Sequence, residues 1–531
     1  MASKIIPVEA HLKSESITTS TLTQNRWPVD TPGGRFYAEW DSQAPVTREG
    51  QLMFFFQFLE AGERWREFLA DCPLHYSGNR GSGKLNVMGT AMMSILCGHW
   101  RYAHINSVRG DTVNATLLGM DRIVSEDVVR TGLKRMDEGQ SLQWLRRHTL
   151  ASISPALILP WILDIDTTVK PLYGHQQGAQ IGYNPQKPGR PSHIYHSYFV
   201  ANLRISLGVD VLPGKEHSAA HGMTGLWQML ESLPRERWPT YVRGDCGYGN
   251  ERIMAEFEER GLPYLLKLRH TPKVKALVRD VLGHSDGWVD CGDGWSAAEA
   301  SLKLSGWSQT RRVIIVRESP AIAPVGEQKR RRRDPYELRS KQGKSIAEEP
   351  SFAPWSGRIA VIVTSLDERS FPTLCMPKQY RDRGDAENNY DELKNQWGWC
   401  GYTTKKLAPS RIMAGFIALI YNWWNLYARF YDEEHHREAI TSRPTLMQGV
   451  ARQVQGGGQR TIKVSILHEK KDIIEELIGQ ASRQLQQMKL ITERWSGEEK
   501  WTLLLTRLLR RWLGAKWLPG LPEGANLLLS G

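Results

Sequence analysis

An apolar run that opens at Leu157 closes on two acids, Asp164 and Asp166, within Trp161-Ile-Leu-Asp-Ile-Asp-Thr-Thr168. No other feature narrows the fold as much. The run reads as a buried strand. Strand side chains alternate between faces, so residues two apart leave the same face and both carboxylates emerge together. Two buried carboxylates are costly unless a cation sits between them. The plainer reading is a strand end where Asp166 caps a turn through Thr167.

A second acid follows a second short strand, in Tyr241-Val-Arg-Gly-Asp-Cys-Gly-Tyr-Gly-Asn250. An aspartate at a strand C-terminus before a glycine turn is a frequent site position in α/β folds. It is equally a frequent helix cap. A third group is Tyr380, Arg383, Glu387 and Lys394, spaced 3, 4 and 7 apart. At about 100° per residue all four fall within about 60° of one helix face. Glu387 offers hard oxygen to a divalent cation. Arg383 offers a bidentate fork to phosphate, and Lys394 a point charge. A solvated helix with an Arg–Glu pair at i, i+4 is the alternative.

Strand-like runs at 157–166, 194–201, 204–211, 240–243 and 264–269 alternate with helical stretches at 223–233, 250–260 and around Tyr380. Such alternation predicts an α/β fold, with the second and third strands pairing as an antiparallel hairpin. The distance from Asp245 to Glu387 is too long for one crossover. Short β-like pieces with glycine turns fill residues 271–358, which read as an inserted β-rich domain.

The order Asp166, Asp245, Glu387 resembles the DDE triad of bacterial insertion-sequence transposases. The pattern Tyr-x2-Arg-x3-Glu-x6-Lys resembles the YREK signature of insertion-sequence families four and thirteen-eighty. Asp164-Ile-Asp-Thr-Thr-Val-Lys-Pro-Leu-Tyr-Gly-His175, Gly182-Tyr-Asn-Pro-Gln-Lys-Pro-Gly-Arg-Pro-Ser-His193 and Arg243-Gly-Asp-Cys-Gly-Tyr-Gly-Asn250 are similar to the thirteen-eighty family in particular. The resemblance spans roughly residues 155–430.

It implies a ribonuclease-H-like core, a mixed sheet flanked by helices. It implies catalysis by Asp166, Asp245 and Glu387 holding two magnesium ions, manganese substituting, with Asp164 as a further candidate ligand. Tyr380, Arg383 and Lys394 would grip DNA phosphate. The partners implied are double-stranded DNA, as terminal inverted repeats and target, and a second copy of the chain. The reaction implied is end cleavage through a hairpin intermediate, then joining of 3′-OH ends to target. Lys187, Arg190 and the run Lys329, Arg330, Arg331, Arg332, Arg333 are candidate DNA contacts, and Trp288, Trp295, Trp307 and Trp355 candidate stacking residues. Two rivals are a related nuclease without strand transfer and a domesticated, non-catalytic DNA-binding protein.

The expected organisation is a flexible segment 1–45, a helical DNA-binding region 46–150, core halves 151–270 and 359–434 around the 271–358 insertion, and a helical C-terminal region 435–531. Lys+Arg number 69 against 57 Asp+Glu, a net charge of +12. Such an excess suits a polyanion, nucleic acid before a membrane face. The stretch 412–427 comes closest to a bilayer span, but it is short and Asn422 and Asn425 interrupt it. The polar N-terminus shows no signal peptide, and six scattered cysteines fit a reducing bacterial cytoplasm.

His175, His193 and His196 have no zinc spacing and read as satisfied polar contacts. Gly78-Asn-Arg-Gly-Ser-Gly-Lys84 is not a phosphate loop, because Leu85 replaces the magnesium-binding hydroxyl. Ser125 caps a helix that would suit a major groove. Glycines 456–458 read as a flexible break, 471–490 as an amphipathic helix, and 501–517 as a dimer or DNA-contact helix.

Overall fold

The computed structural model describes residues 26–76, 81–184, 187–216, 219–318, 357–399, 401–522 and 525. Two compact units result, 1–45 and 46–531. In the first, where a flexible segment was expected, strands Arg26–Thr31 and Gly34–Glu39 form a hairpin, with Asp30 and Arg35 paired at 2.7 Å.

The second unit is built on a ten-stranded mixed sheet. Its strands are β1 Ile162–Pro171, β2 Gln180–Ile181, β3 Pro191–Val200, β4 Ile205–Pro213, β5 Tyr241–Gly244 and β6 Tyr264–Lys267. Four more follow: β7 Trp288–Asp290, β8 Trp295–Leu302, β9 Arg311–Glu318 and β10 Ile359–Thr364. Spatial order is β7-β8-β9-β10-β6-β5-β1-β3, with β2 and β4 both on the far edge of β3.

β3 runs antiparallel to β1 and to β4, as the hairpin pattern predicts. β5 lies parallel to β1, and β6 parallel to β5. The helices Ala219–Leu230 and Glu251–Glu259 make the connections into β5 and β6. The central strands are covered on both faces, so β5, β6 and β10 are buried at nearly every position rather than at alternate ones. The β-rich stretch expected as an insertion at 271–358 continues this same sheet: β10 pairs antiparallel with β6, and β9, β8 and β7 follow outward.

Helix Leu407–Arg429 is buried except at Ala408, Arg411 and Gly415, and it packs against β4 and helix Glu138–Ala151. Asn422, which interrupts its apolar run, accepts from Ser206 N at 2.9 Å and donates to Ser206 O at 2.6 Å. A buried amide that pairs with a strand's backbone satisfies both partners. Among the described residues no helix is long and apolar enough to cross a membrane.

Helix Glu126–Arg135 is capped by Ser125 as expected, and its Val129, Gly132 and Leu133 are buried against this chain's own core. Glycines 456–458, read as a break, instead turn a hairpin of strands Val450–Gly456 and Gln459–Ser465. Gly457 and Gly458 have φ of +57° and +75°, the left-handed pair that a tight two-residue turn needs. Helix Gly497–Leu508 buries Trp501, Leu503, Leu504, Leu505 and Leu508, so its apolar face is covered within the chain rather than left for a partner.

Candidate active site

β1 and β5 lie side by side with Asp164 opposite Arg243. Asp166 stands two residues further along β1, and Asp245 directly follows β5. Both acids therefore sit beyond the paired stretch at the same end of two parallel strands. Asp166 makes the local turn contact suggested for it, whereas Asp245, offered as a helix cap, closes a turn instead. Asp166 Oδ1 accepts from Thr167 N, and Asp245 Oδ1 accepts from Gly247 N, both at 2.8 Å. The turn after Asp245 must be tight: a Cβ on Gly249 would lie 2.4 Å from the Lys267 carbonyl. Asn250 then caps the Glu251–Glu259 helix through Ile253 N.

Burial pushes the Asp166 carboxyl up to about 6. The Arg383 guanidinium opposes that rise, Asp245 adds to it, and the Thr167 N–H and Lys394 oppose it further. Arg383 is buried, with Nη2 3.4 Å from Asp166 Oδ1. The neighbouring acid holds the guanidinium protonated despite burial.

The four-residue stripe on one helix does not form. Helix Met376–Arg381 carries Tyr380, whose hydroxyl lies 3.5 Å from Gly244 O. Asp382 and Arg383 then break the helix, and Gly384–Asn395 begins anew. Arg383 N bonds back only three residues, to Tyr380 O, and Gly384 is a poor helix former at the junction. The break lets Tyr380 face β5 while Arg383 reaches β1. Lys394 is half-buried on the second helix, which packs Tyr390 edge-on against Phe199 of β3 at 5.3 Å. Glu387 lies on this helix, but its side chain is outside the described residues. Among the described residues no three His, Cys, Asp or Glu side chains form a metal cluster.

Asp164 shares the face of Asp166 but is engaged elsewhere. Its two carboxylate oxygens accept from Arg243 Nε at 2.6 Å and Nη2 at 2.7 Å, with both side chains almost fully buried. Arg243 was quoted in its motif without a role, so this partnership was missed. Glu392 was missed as well. It is buried and accepts from His436 Nε2 at 2.7 Å, Trp397 Nε1 at 3.0 Å and Ala439 N at 3.0 Å. Its sequence signal was weak: an acid beside Asp391 on a largely polar helix.

An open groove of about 860 Å³ runs beside Asp245, lined by Thr167, Tyr183, Lys215, Tyr248, Arg269 and Leu304 among others. Above the first strand, Lys187 and Arg190 flank the exposed Tyr173 ring at 5.0 Å and 4.6 Å. His196 bonds Thr167 Oγ1 and Glu216 O and is satisfied; His193 bonds Gln177 O through Nε2, while its buried Nδ1 has no hydrogen-bond partner among the described residues; His175 is exposed. Trp288 lies under Arg317 at 3.7 Å, Trp295 under Arg381 at 5.0 Å, and Trp307 is buried against Arg311. Trp355 and the Lys329–Arg333 run lie outside the described residues.

No curated protein matches the sequence. Among solved structures, the chain is similar to a cryo-EM structure of the piggyBac transposase synaptic complex with hairpin DNA, at 12% identity and a TM-score of 0.37, over 91% of this chain and 90% of that chain. The family model described as a transposase DDE domain matches residues 158–423, half of the chain, and the protein belongs to that family.

Proposed function

We propose that this member of the transposase DDE domain family is a YREK-type insertion-sequence transposase with a ribonuclease-H-like core. The observation that carries the reading is the pairing of Asp166 and Asp245 at one end of adjacent parallel strands, with Arg383 against the first. An antiparallel β1–β3–β4 set followed by parallel β5 and β6 supports the core assignment.

Two hard-oxygen donors brought together, one of them pushed up to about 6 by burial and by the other's charge, suit a divalent cation. Asp166, Asp245 and Glu387 would hold magnesium. Bound there, the ions supply Lewis acidity at a phosphodiester and lower the pKa of an attacking water. The chain's own residues do the rest. Arg383, held protonated beside Asp166, orients a phosphate; Tyr380 supplies a hydroxyl at the β5 end; Lys394 offsets charge on the strand being cut. The net charge of +12 and the Tyr173–Lys187–Arg190 cluster support double-stranded DNA as substrate. Cleavage through a hairpin, joining of 3′-OH ends to target, and pairing of two copies at synapsis complete the proposal.

The test is cleavage of a labelled duplex carrying the terminal repeat that flanks the element, with magnesium or manganese, read on a denaturing gel. Metal-dependent cuts at the repeat boundary with a transient hairpin band are expected. Cutting without repeat preference identifies a nuclease, and repeat binding without any cut a non-catalytic binder.

A further inference from the structure

We infer that Asp164 and Arg243 form a positioning lock for the reaction, setting the broken helix that carries Tyr380 and Arg383 against the two acids. The inference rests on the assignment of Asp166 and Asp245 as metal holders. Three contacts from β5 converge on the end of the Met376–Arg381 helix. Arg243, clamped by both Asp164 oxygens, donates its remaining Nη1 to Gln379 O at 2.5 Å. Tyr241 OH donates to Gln379 Oε1. Tyr380 OH reaches Gly244 O at 3.5 Å.

Gln379 stands next to Tyr380 and four residues before Arg383. Its carbonyl falls in the last turn of the helix, where backbone acceptors lose their intrahelical partners. A guanidinium there ends the helix at a fixed place, so the chain breaks at Asp382 and Arg383 rather than running on. Arg243 precedes Asp245 by two residues, and Asp164 precedes Asp166 by two. Each catalytic strand thus contributes one residue to the lock and one acid to the site. A buried bidentate pair has one geometry, and neither an ammonium nor a neutral amide reproduces it. Asp164 is on this reading a positioning residue and not a metal ligand.

The lock predicts a split between binding and turnover. Arg243→Lys should lower kcat by about 10- to 100-fold, the range for residues that orient ligands indirectly, with KM for repeat DNA unchanged within about threefold. Tyr241→Phe keeps the ring and removes only the contact to Gln379, so it folds normally and lowers kcat by a smaller factor. Hydrogen exchange supplies a readout independent of activity. Both variants should speed amide exchange in 376–395 while leaving helix Ala219–Leu230 at wild-type protection. A Val363→Ala control in β10 should lower thermal stability without either effect.

Wild-type kcat and wild-type protection of 376–395 in both variants would overturn the inference. So would an Asp164→Asn protein whose Mn2+ affinity, by electron paramagnetic resonance titration, falls as far as that of Asp166→Asn. If wild-type protein cuts no repeat DNA, the proposed function fails, and the exchange arm still decides the lock.

Discussion

Arg311 opens β9 and reaches back to the helix that follows Asp245. Its guanidinium is buried, with Nη1 2.5 Å from Glu251 Oε2, Nε 2.7 Å from Glu258 Oε1 and Nη2 2.8 Å from Glu258 Oε2. Arg311→Ala should therefore loosen the outer strands from the core. Burial raises the Glu251 carboxyl, but the Arg311 and Ser308 hydrogen bonds outweigh it and hold the group at about 2 against an ordinary 4.5. At 1.36 kcal/mol per pH unit that difference is worth about 3 kcal/mol. Glu251 is a quarter exposed and keeps its Ser308 hydrogen bonds, so screening and those bonds reduce the part lost with Arg311 to about 1–2 kcal/mol. Glu258 is lowered by the same guanidinium against its own burial and adds to the loss. A net cost of about 2–4 kcal/mol at pH 7 follows, overlapping the lower part of the about 3–5 kcal/mol for stripping one partner from a buried pair.

The pH dependence checks the cause. A depressed carboxyl stabilises fully above its unfolded value and loses that stabilisation as pH falls through its folded value. The gap between wild type and Arg311→Ala in urea unfolding should thus be widest above about pH 5 and close between pH 4.5 and 2. A gap that stays constant from pH 7 to pH 3, or an Arg311→Ala protein as stable as wild type at pH 7, would refute the reasoning.

Asp245→Asn and Glu387→Gln should abolish metal-dependent cleavage while leaving repeat binding intact in a gel shift. Arg383→Lys keeps the charge but loses the fork, and single-turnover cleavage should slow by one to two orders of magnitude at unchanged DNA affinity. Raising salt from 50 to 200 mM should weaken repeat binding by about 10³-fold or more, measured by fluorescence anisotropy, if six or more phosphates are contacted. Gly457→Val forces a β-branched residue to φ +57° and should lower the melting temperature without changing cleavage per folded molecule.

The strands were legible where short runs rich in apolar and β-branched residues break off at turn or charged residues, as at Tyr241–Gly244 and Tyr264–Lys267. The helix at Tyr380 was misread because its 3.6-residue period continues unbroken through Asp382 and Arg383. The break falls just after Gln379, which Arg243 and Tyr241, more than a hundred residues upstream, hold by hydrogen bonds. Asp164 and Asp166 were indistinguishable by alternation. What separates them is the parallel register that puts Arg243 opposite Asp164, and register between distant strands leaves no mark in either strand's own pattern. Gly456–Gly458 was read as slack because glycine signals freedom, yet the polar strands on either side needed two left-handed residues between them. The apolar residues of the Trp501 helix suggested a dimer or DNA contact; within the chain Trp501 is buried and its Nε1 bonds Ser152 O at 3.1 Å.

The pairing of β9 with β10 bears on the connection between them. The chain leaves the sheet at Glu318 and returns at Ile359, and Glu318 N bonds Arg358 O at 3.0 Å, so the 319–358 connection starts and ends at one point. For a flexible connection whose ends are held together, closure entropy grows slowly with length, by about 0.6 kcal/mol for each doubling. Changes of length between Glu318 and Ile359 therefore need not disturb the register of β9 with β10.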